Sequence, residues 1–202
     1  MGNIKERSTE EKIVQAAEKI FVRDGYDGAR MKDIAEEAGI NKALLHYYFR
    51  SKANLFEKIL HSKLSAFLPQ VTMAVKGEAS IHDKFEGLVD GYLNMLQSNP
   101  QLPMFILFSI YRNPDFAQRL PREIFTTLIA FFKKAMRAKQ LKRVDPEHLL
   151  INIMSMCVFP YVARPMATHM MGKTTVEYND FLAKRKKEIL KVLHELVEKP
   201  ND

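Results

Sequence analysis

With 202 residues, 47% of them hydrophobic and 27% charged, the chain can bury a sizeable core and is too apolar to be disordered. A single cysteine, Cys157, excludes an internal disulfide and any multi-thiolate metal site, and no apolar run approaches the roughly 18 residues that span a bilayer. The net charge is +7, yet residues 1–52 hold ten Lys/Arg against nine Asp/Glu, so bulk charge alone identifies no partner.

At the amino end, Met1-Gly2 is followed by Glu6 where a myristoylation signal needs Ser or Thr, and no apolar leader precedes the first helix. A cytoplasmic location is expected. Ser8-Thr9-Glu10-Glu11 has the form of a capping box. The helix it opens places Ile13, Ala17, Ile20 and Phe21 on one face and is predicted to stop before Gly25.

Two short helices are predicted next, over Arg30–Ala38 and Lys42–Phe49. Small Ala35 admits a close crossing, Gly39 supplies the positive φ of a tight turn, and Asn41 is a good N-cap for the second helix. Leu45 and Phe49 then point inward, while Lys42, Ala43, Leu44, His46 and Tyr47 point outward. Gly39 to Lys52 contains Lys42, Arg50 and Lys52 and no acid. The pattern is that of a helix-turn-helix whose second helix enters a DNA major groove.

Ser51 caps a longer predicted helix carrying Leu55, Phe56, Ile59, Leu60, Leu64, Phe67 and Leu68, which Pro69 should kink or end. Ser80 opens a helix with Phe85, Leu88, Val89, Tyr92, Leu93 and Leu96. Met104–Tyr111 is apolar almost all round and is expected to be buried on every side, with Asn113-Pro114 closing it. A helix over Arg122–Lys139 places Ile124, Phe125, Leu128, Phe132 and Met136 together; its basic end, continued by Lys142 and Arg143, suits the negative pole of the helix dipole. Asp145-Pro146-Glu147 starts a helix that is apolar on most faces to Val162, bent late by Pro160. Met166–Gly172 reads as a loop, and the last helix runs over Thr175–Glu198 with Tyr178, Phe181, Leu182, Ile189, Val192, Leu193 and Leu196 on one stripe. No strand-like alternation appears. The fold expected is all-α, with a three-helix helix-turn-helix domain over 1–52 and a larger helical domain over 53–202.

Ile34-Ala35-x-x-Ala38-Gly39-Ile40 and Tyr47-Tyr48-Phe49-x-Ser51-Lys52 resemble, at the family's own separation, the tetracycline-repressor (TetR) family of bacterial transcriptional regulators. The resemblance covers about Ile13 to Leu60; the rest is similar only in length and helical character. It implies DNA contacts from Lys42, His46, Tyr47 and Lys52, with Asn41, Ala43, Leu44 and Tyr48 on the same helix and Arg30 and Lys32 flanking. Tyr and Lys suit phosphate oxygens, whereas Lys42 or His46 suits a base edge. The family often has Thr at Ala29, Thr or Ser at Leu44 and Tyr at His46, so hydroxyl contacts are lost at those positions.

The resemblance also implies a ligand-responsive homodimer, most simply a repressor released from a palindromic operator by a small apolar or amphipathic effector. Tyr92, Met104, Phe105, Phe108, Phe125, Phe132, Met136, Met154 and Phe159 have the adaptable thioethers and rings that line such a cavity, and equally the makings of an ordinary core. Ile153, Cys157, Tyr161, Phe181, Ile189, Val192 and Leu196, on the two greasy helices, are the residues expected to meet a second copy. No cofactor, metal or membrane is implied. The six histidines form no His-Glu-x-x-His pair, and there is neither a phosphate-binding glycine loop nor a Gly-x-Ser-x-Gly elbow, so an enzyme is not expected. Two other readings stay open here: a DNA-binding dimer with no ligand, and a helical enzyme or carrier with a fortuitous helix-turn-helix.

Overall fold

The computed structural model describes residues 8–112 and 114–197. Its elements in chain order are α1 Thr9–Gly28, α2 Met31–Glu37, α3 Lys42–Tyr48, α4 Lys52–Val75, α5 Ile81–Ser98, α6 Leu102–Arg112, a 3-10 segment Pro114–Arg119, α7 Arg122–Arg137, α8 Pro146–Val162, α9 Arg164–Met170 and α10 Thr175–His194. Among the described residues there is no strand, only an isolated bridge between Leu141 and Val197. The fold is all-α, as expected. The chain divides into two compact units, one of residues 1–64 and 105–120, the other of 65–104 and 121–202.

The first unit starts from the predicted capping box: the Glu11 N–H donates to Ser8 Oγ at 3.2 Å, and the Ser8 N–H donates to the Glu11 carboxylate at 3.1 Å. Helical geometry breaks at Gly25, whose φ of 70° and ψ of 174° no branched side chain would tolerate, and a further turn reaches Gly28. Ile13, Ala16, Ala17, Ile20 and Phe21 are buried along α1. Aromatic rings fill the rest of this core: Phe56 meets Phe21 edge-on at 5.4 Å, Tyr26 at 5.0 Å and Phe105 at 3.9 Å between centroids. On the outside, Lys58 pairs with Glu10 at 3.0 Å and Lys63 with Glu18 at 3.1 Å. Such pairs are worth about 1 kcal/mol at most.

The second unit packs Phe67, Val71, Phe85, Leu88, Phe132, Leu149, Ile153, Cys157, Tyr178 and Ile189 into one cluster. Pro69 does not end its helix; α4 runs on to Val75. The continuation is held by packing. Val71 is buried, and a Cβ added to Gly87 or Gly91 of α5 would stand 3.2 Å from Ala74 Cβ or 3.3 Å from Gln70 Oε1, so the two helices cross in close contact. Pro160 leaves the Met156 carbonyl without its helical donor, and Arg185 Nη2 donates to that oxygen at 3.2 Å. The buried Tyr178 hydroxyl donates to the Pro160 carbonyl at 2.8 Å.

Three further expectations are corrected. α6 is not buried all round, because Leu107, Phe108 and Tyr111 are exposed. Residues 164–170 form α9 and no loop: Gly172, at φ 59°, lets the Lys173 N–H reach the Thr168 carbonyl and the Gly172 N–H reach His169, a Schellman closure. α10 ends at His194, four residues short of the expected Glu198, which with Asn113, Glu6 and Met1-Gly2 lies outside the described residues. The Lys142 ammonium donates to the Glu195 carbonyl at 2.6 Å, so one lysine of the basic run serves the negative end of α10.

Candidate nucleic-acid interface

α2 and α3 are joined by a turn that local chemistry dictates. The Ile40 N–H donates to the Ala35 carbonyl at 3.0 Å and the Gly39 N–H to Glu36 at 3.1 Å, with Gly39 at φ 67°. This Schellman closure favours a residue without a Cβ at Gly39. Asn41 Oδ1 then accepts the Leu44 N–H at 2.8 Å, starting α3 as an N-cap should. Only Leu45 of α3 is buried; it is fully enclosed, as are Ile34 and Ala35 nearly so, and Phe49 follows at 7% exposure.

The opposite face of α3 is open. Lys42, Ala43 and His46 are exposed, with Leu44 at 36%, Tyr47 at 82% and Tyr48 at 40%. The Tyr47 and Tyr48 rings meet edge-to-face at 5.6 Å. Exposed tyrosines of this kind are amphipathic handles, rings with a hydrogen-bonding tip. Phe49 is core, and Tyr48 belongs to the open side. Arg30, the N-cap of α2, is exposed, and Lys32 is exposed with Glu36 at 3.6 Å along the same helix. Arg50, part of the acid-free stretch, is exposed too. Acidic groups gather instead on the α1–α2 side. There Glu37 pairs with Lys19 at 2.9 Å, a contact that lowers its carboxyl pKa, and Arg23 holds Asp24 at 2.7 Å.

Lys52 stands apart from these residues. Its ammonium is turned into the unit, donating to the carbonyls of Tyr26 at 2.6 Å, Ala29 at 3.0 Å and Asp27 at 3.4 Å, and it lies 4.5 Å from the centre of the Tyr26 ring. Nothing in the sequence spacing pointed to that contact.

The nine residues expected to line a cavity fall into different settings. Phe105 belongs to the aromatic cluster of the first unit, Phe132 is fully enclosed in the second, and Phe108, Phe125 and Phe159 are exposed. Tyr92, Met136 and Met154 pack partly buried against the core of the second unit, and Met104 is half-buried. Burial raises the Tyr92 phenol above its ordinary pKa and pushes the Cys157 thiol up to about 12. Of the residues expected at an interface, Ile153, Cys157, Tyr161 and Ile189 are closed inside that same core. A side chain already enclosed by its own chain has no surface left for a partner. Phe181 and Leu196 are partly buried and Val192 is exposed.

Comparison with known proteins agrees with this geometry. The family model described as bacterial regulatory proteins, tetR family, matches residues 13–59, which take in α2 and α3 entirely. The "Probable HTH-type transcriptional regulator YttP" of Bacillus subtilis (strain 168) is 23% identical over 165 residues, 77% of this chain and 78% of that protein. The "HTH-type transcriptional repressor SCO4008" of Streptomyces coelicolor is 33% identical over 95 residues, 47% of this chain and 46% of its own length. Among solved structures, a transcriptional regulator of the TetR/AcrR family from Thermobifida fusca YX-ER1 superposes with a TM-score of 0.64 at 18% identity, over 90% of this chain and 96% of that one. Residues 13–59 thus match the tetR family of bacterial regulatory proteins, and the chain is a DNA-binding transcriptional regulator.

Proposed function

We propose that the protein is a homodimeric repressor that acts in the cytoplasm, grips a palindromic operator through α3, and lets go when a small apolar or amphipathic effector binds. Residues 1–52 carry the operator contacts, and residues 53–202 carry dimerisation and the effector. The observation that carries this reading is the two-faced α3: Leu45 and Phe49 anchor it, while Lys42, Ala43, Leu44, His46, Tyr47 and Tyr48 stand free. Asn41 spends its side-chain oxygen on the cap, and Arg30 and Lys32 supply flanking charge for phosphates. Two copies of α3 related by a two-fold axis read half-sites at least one helical turn apart.

The apolar surface for the second copy comes from the open sides of α8 and α10, where Ile151, Phe159 and Val192 are exposed. α4 supplies residues to both units and is the element through which an effector shifts the population away from the DNA-binding arrangement. Reciprocity then requires operator DNA to weaken the effector by the same factor.

The test is selection of bound duplexes from random DNA by the purified protein, with and without apolar and amphipathic small molecules. An inverted repeat recovered without ligand and lost with one supports the whole reading. An asymmetric site refutes the dimeric operator. Binding indifferent to every ligand favours a regulator with no effector.

A further inference from the structure

We infer that Lys52 is a positioning residue: it locks the exit of α3 to the end of α1 and does not itself touch DNA. A lysine ammonium has three N–H donors. Three backbone acceptors of this chain surround the Lys52 ammonium, the carbonyls of Tyr26, Ala29 and Asp27, with the Tyr26 ring 4.5 Å beneath it. That leaves no proton for a phosphate oxygen.

The electrostatics favour the same assignment. Lys52 is the first residue of α4, the positive pole of its own helix, where a cation is disfavoured. α1 has no basic residue in its last turn. Lys52 supplies the missing positive charge from across the unit. The clamp closes a loop of chain that contains all of α2 and α3, from Tyr26 to Lys52. It fixes the segment just after Phe49 against Ala29, which is itself buried. The open face of α3 is thereby held at one angle.

This assignment rests on α3 being the DNA-reading helix. The experiment measures affinity for a duplex selected by the wild-type protein, as a function of salt, at a temperature where every variant is folded. Each phosphate contact contributes about 0.9 to the slope of log affinity against log salt. Lys52→Met is expected to bind about tenfold more weakly with the wild-type slope, while Arg30→Ala serves as the phosphate-contact control, whose slope is shallower by about 1.8 because a dimer loses two contacts. Lys52→Arg keeps the charge but spreads its donors over a planar fork that cannot converge on three carbonyls, so it too is expected to lose affinity without losing slope.

If Lys52→Met does not fold, Lys52→Arg alone decides. A Lys52→Met slope shallower by about 1.8, or full affinity in Lys52→Arg, overturns the proposal in favour of a phosphate contact. Lowered melting temperature with unchanged affinity overturns it in favour of a purely structural role. Absence of salt-dependent binding by the wild-type protein overturns the reading of α3 itself, and that outcome is visible before any variant is made.

Discussion

Tyr47→Ala separates the two faces of α3 most sharply. Tyr47 is 82% exposed, so less than a fifth of its surface is at stake in folding. Removing a fully buried aromatic side chain costs about 3–5 kcal/mol, so this one loses below about 1 kcal/mol, and the better helix propensity of alanine returns about half of that. Stability should therefore hardly change. On DNA the same ring and hydroxyl are expected to contribute about 1–3 kcal/mol, a roughly five- to 150-fold loss in affinity for a selected duplex. Leu45→Ala is the mirror control. Leu45 is wholly enclosed, so its truncation should cost about 2–5 kcal/mol of stability. Urea unfolding and fluorescence anisotropy on one duplex measure both quantities. A Tyr47→Ala protein that binds like wild type, or that unfolds at markedly lower urea, refutes the division of α3 into an anchoring and a reading side.

Lys139 sits at φ 55° in the Schellman closure of α7, a conformation that costs a residue with a Cβ about 1 kcal/mol, so Lys139→Gly should raise the melting temperature by a few degrees; no rise, or a fall, would show that the strain is absent. The Cys157 thiol, buried and pushed up to about 12, should ignore a thiol reagent at pH 8 until denaturant is added, and rapid labelling of the native protein would contradict its placement. The Asp145 carboxylate caps α8 by accepting the Glu147 and His148 N–H groups at 2.9 Å each, and its pKa is lowered chiefly by the bond from His148. Its contribution is complete above the unfolded carboxyl pKa and fades as pH falls through the lowered folded value. Asp145→Asn keeps a capping oxygen without that titration, so the acid limb of a melting-temperature profile should flatten; an identical limb would assign acid sensitivity elsewhere.

The features legible in the sequence were those set by local rules. Ser8 with Glu11, Gly39, Asn41, Ser80 and Asp145 each serve as cap or turn where their chemistry demands, because a cap involves only neighbours within four residues. The inward and outward sides of α3 were equally legible, since helical periodicity decides them. What failed depended on distant partners. Pro69 does not end its helix, where Gly87 and Gly91 bring α5 into close contact with α4. Ile153, Cys157 and Ile189 looked like surplus apolar surface, yet α5, α7, α8 and α10 share one core that absorbs them. Apolar excess on α6 was read as burial, although Phe108 and Tyr111 face outward. A hydrophobic count reports how much surface wants cover, not which neighbour provides it.

The same distinction explains how so small an element can carry the function. α3 has seven residues, far below the length at which a helix persists alone in water. Its shape is therefore imposed from outside: by the Asn41 cap at its start, by Leu45 within, by Phe49 at its end, and by the Lys52 bonds beyond it. Every one of those supports lies on the inner side or at an end. The exposed residues, Lys42, His46 and Tyr47 foremost, contribute almost nothing to holding the helix. On the proposed function, substitutions there change which sequence is read while the scaffold stays as it is, whereas a change at Leu45 or Gly39 removes the reader altogether.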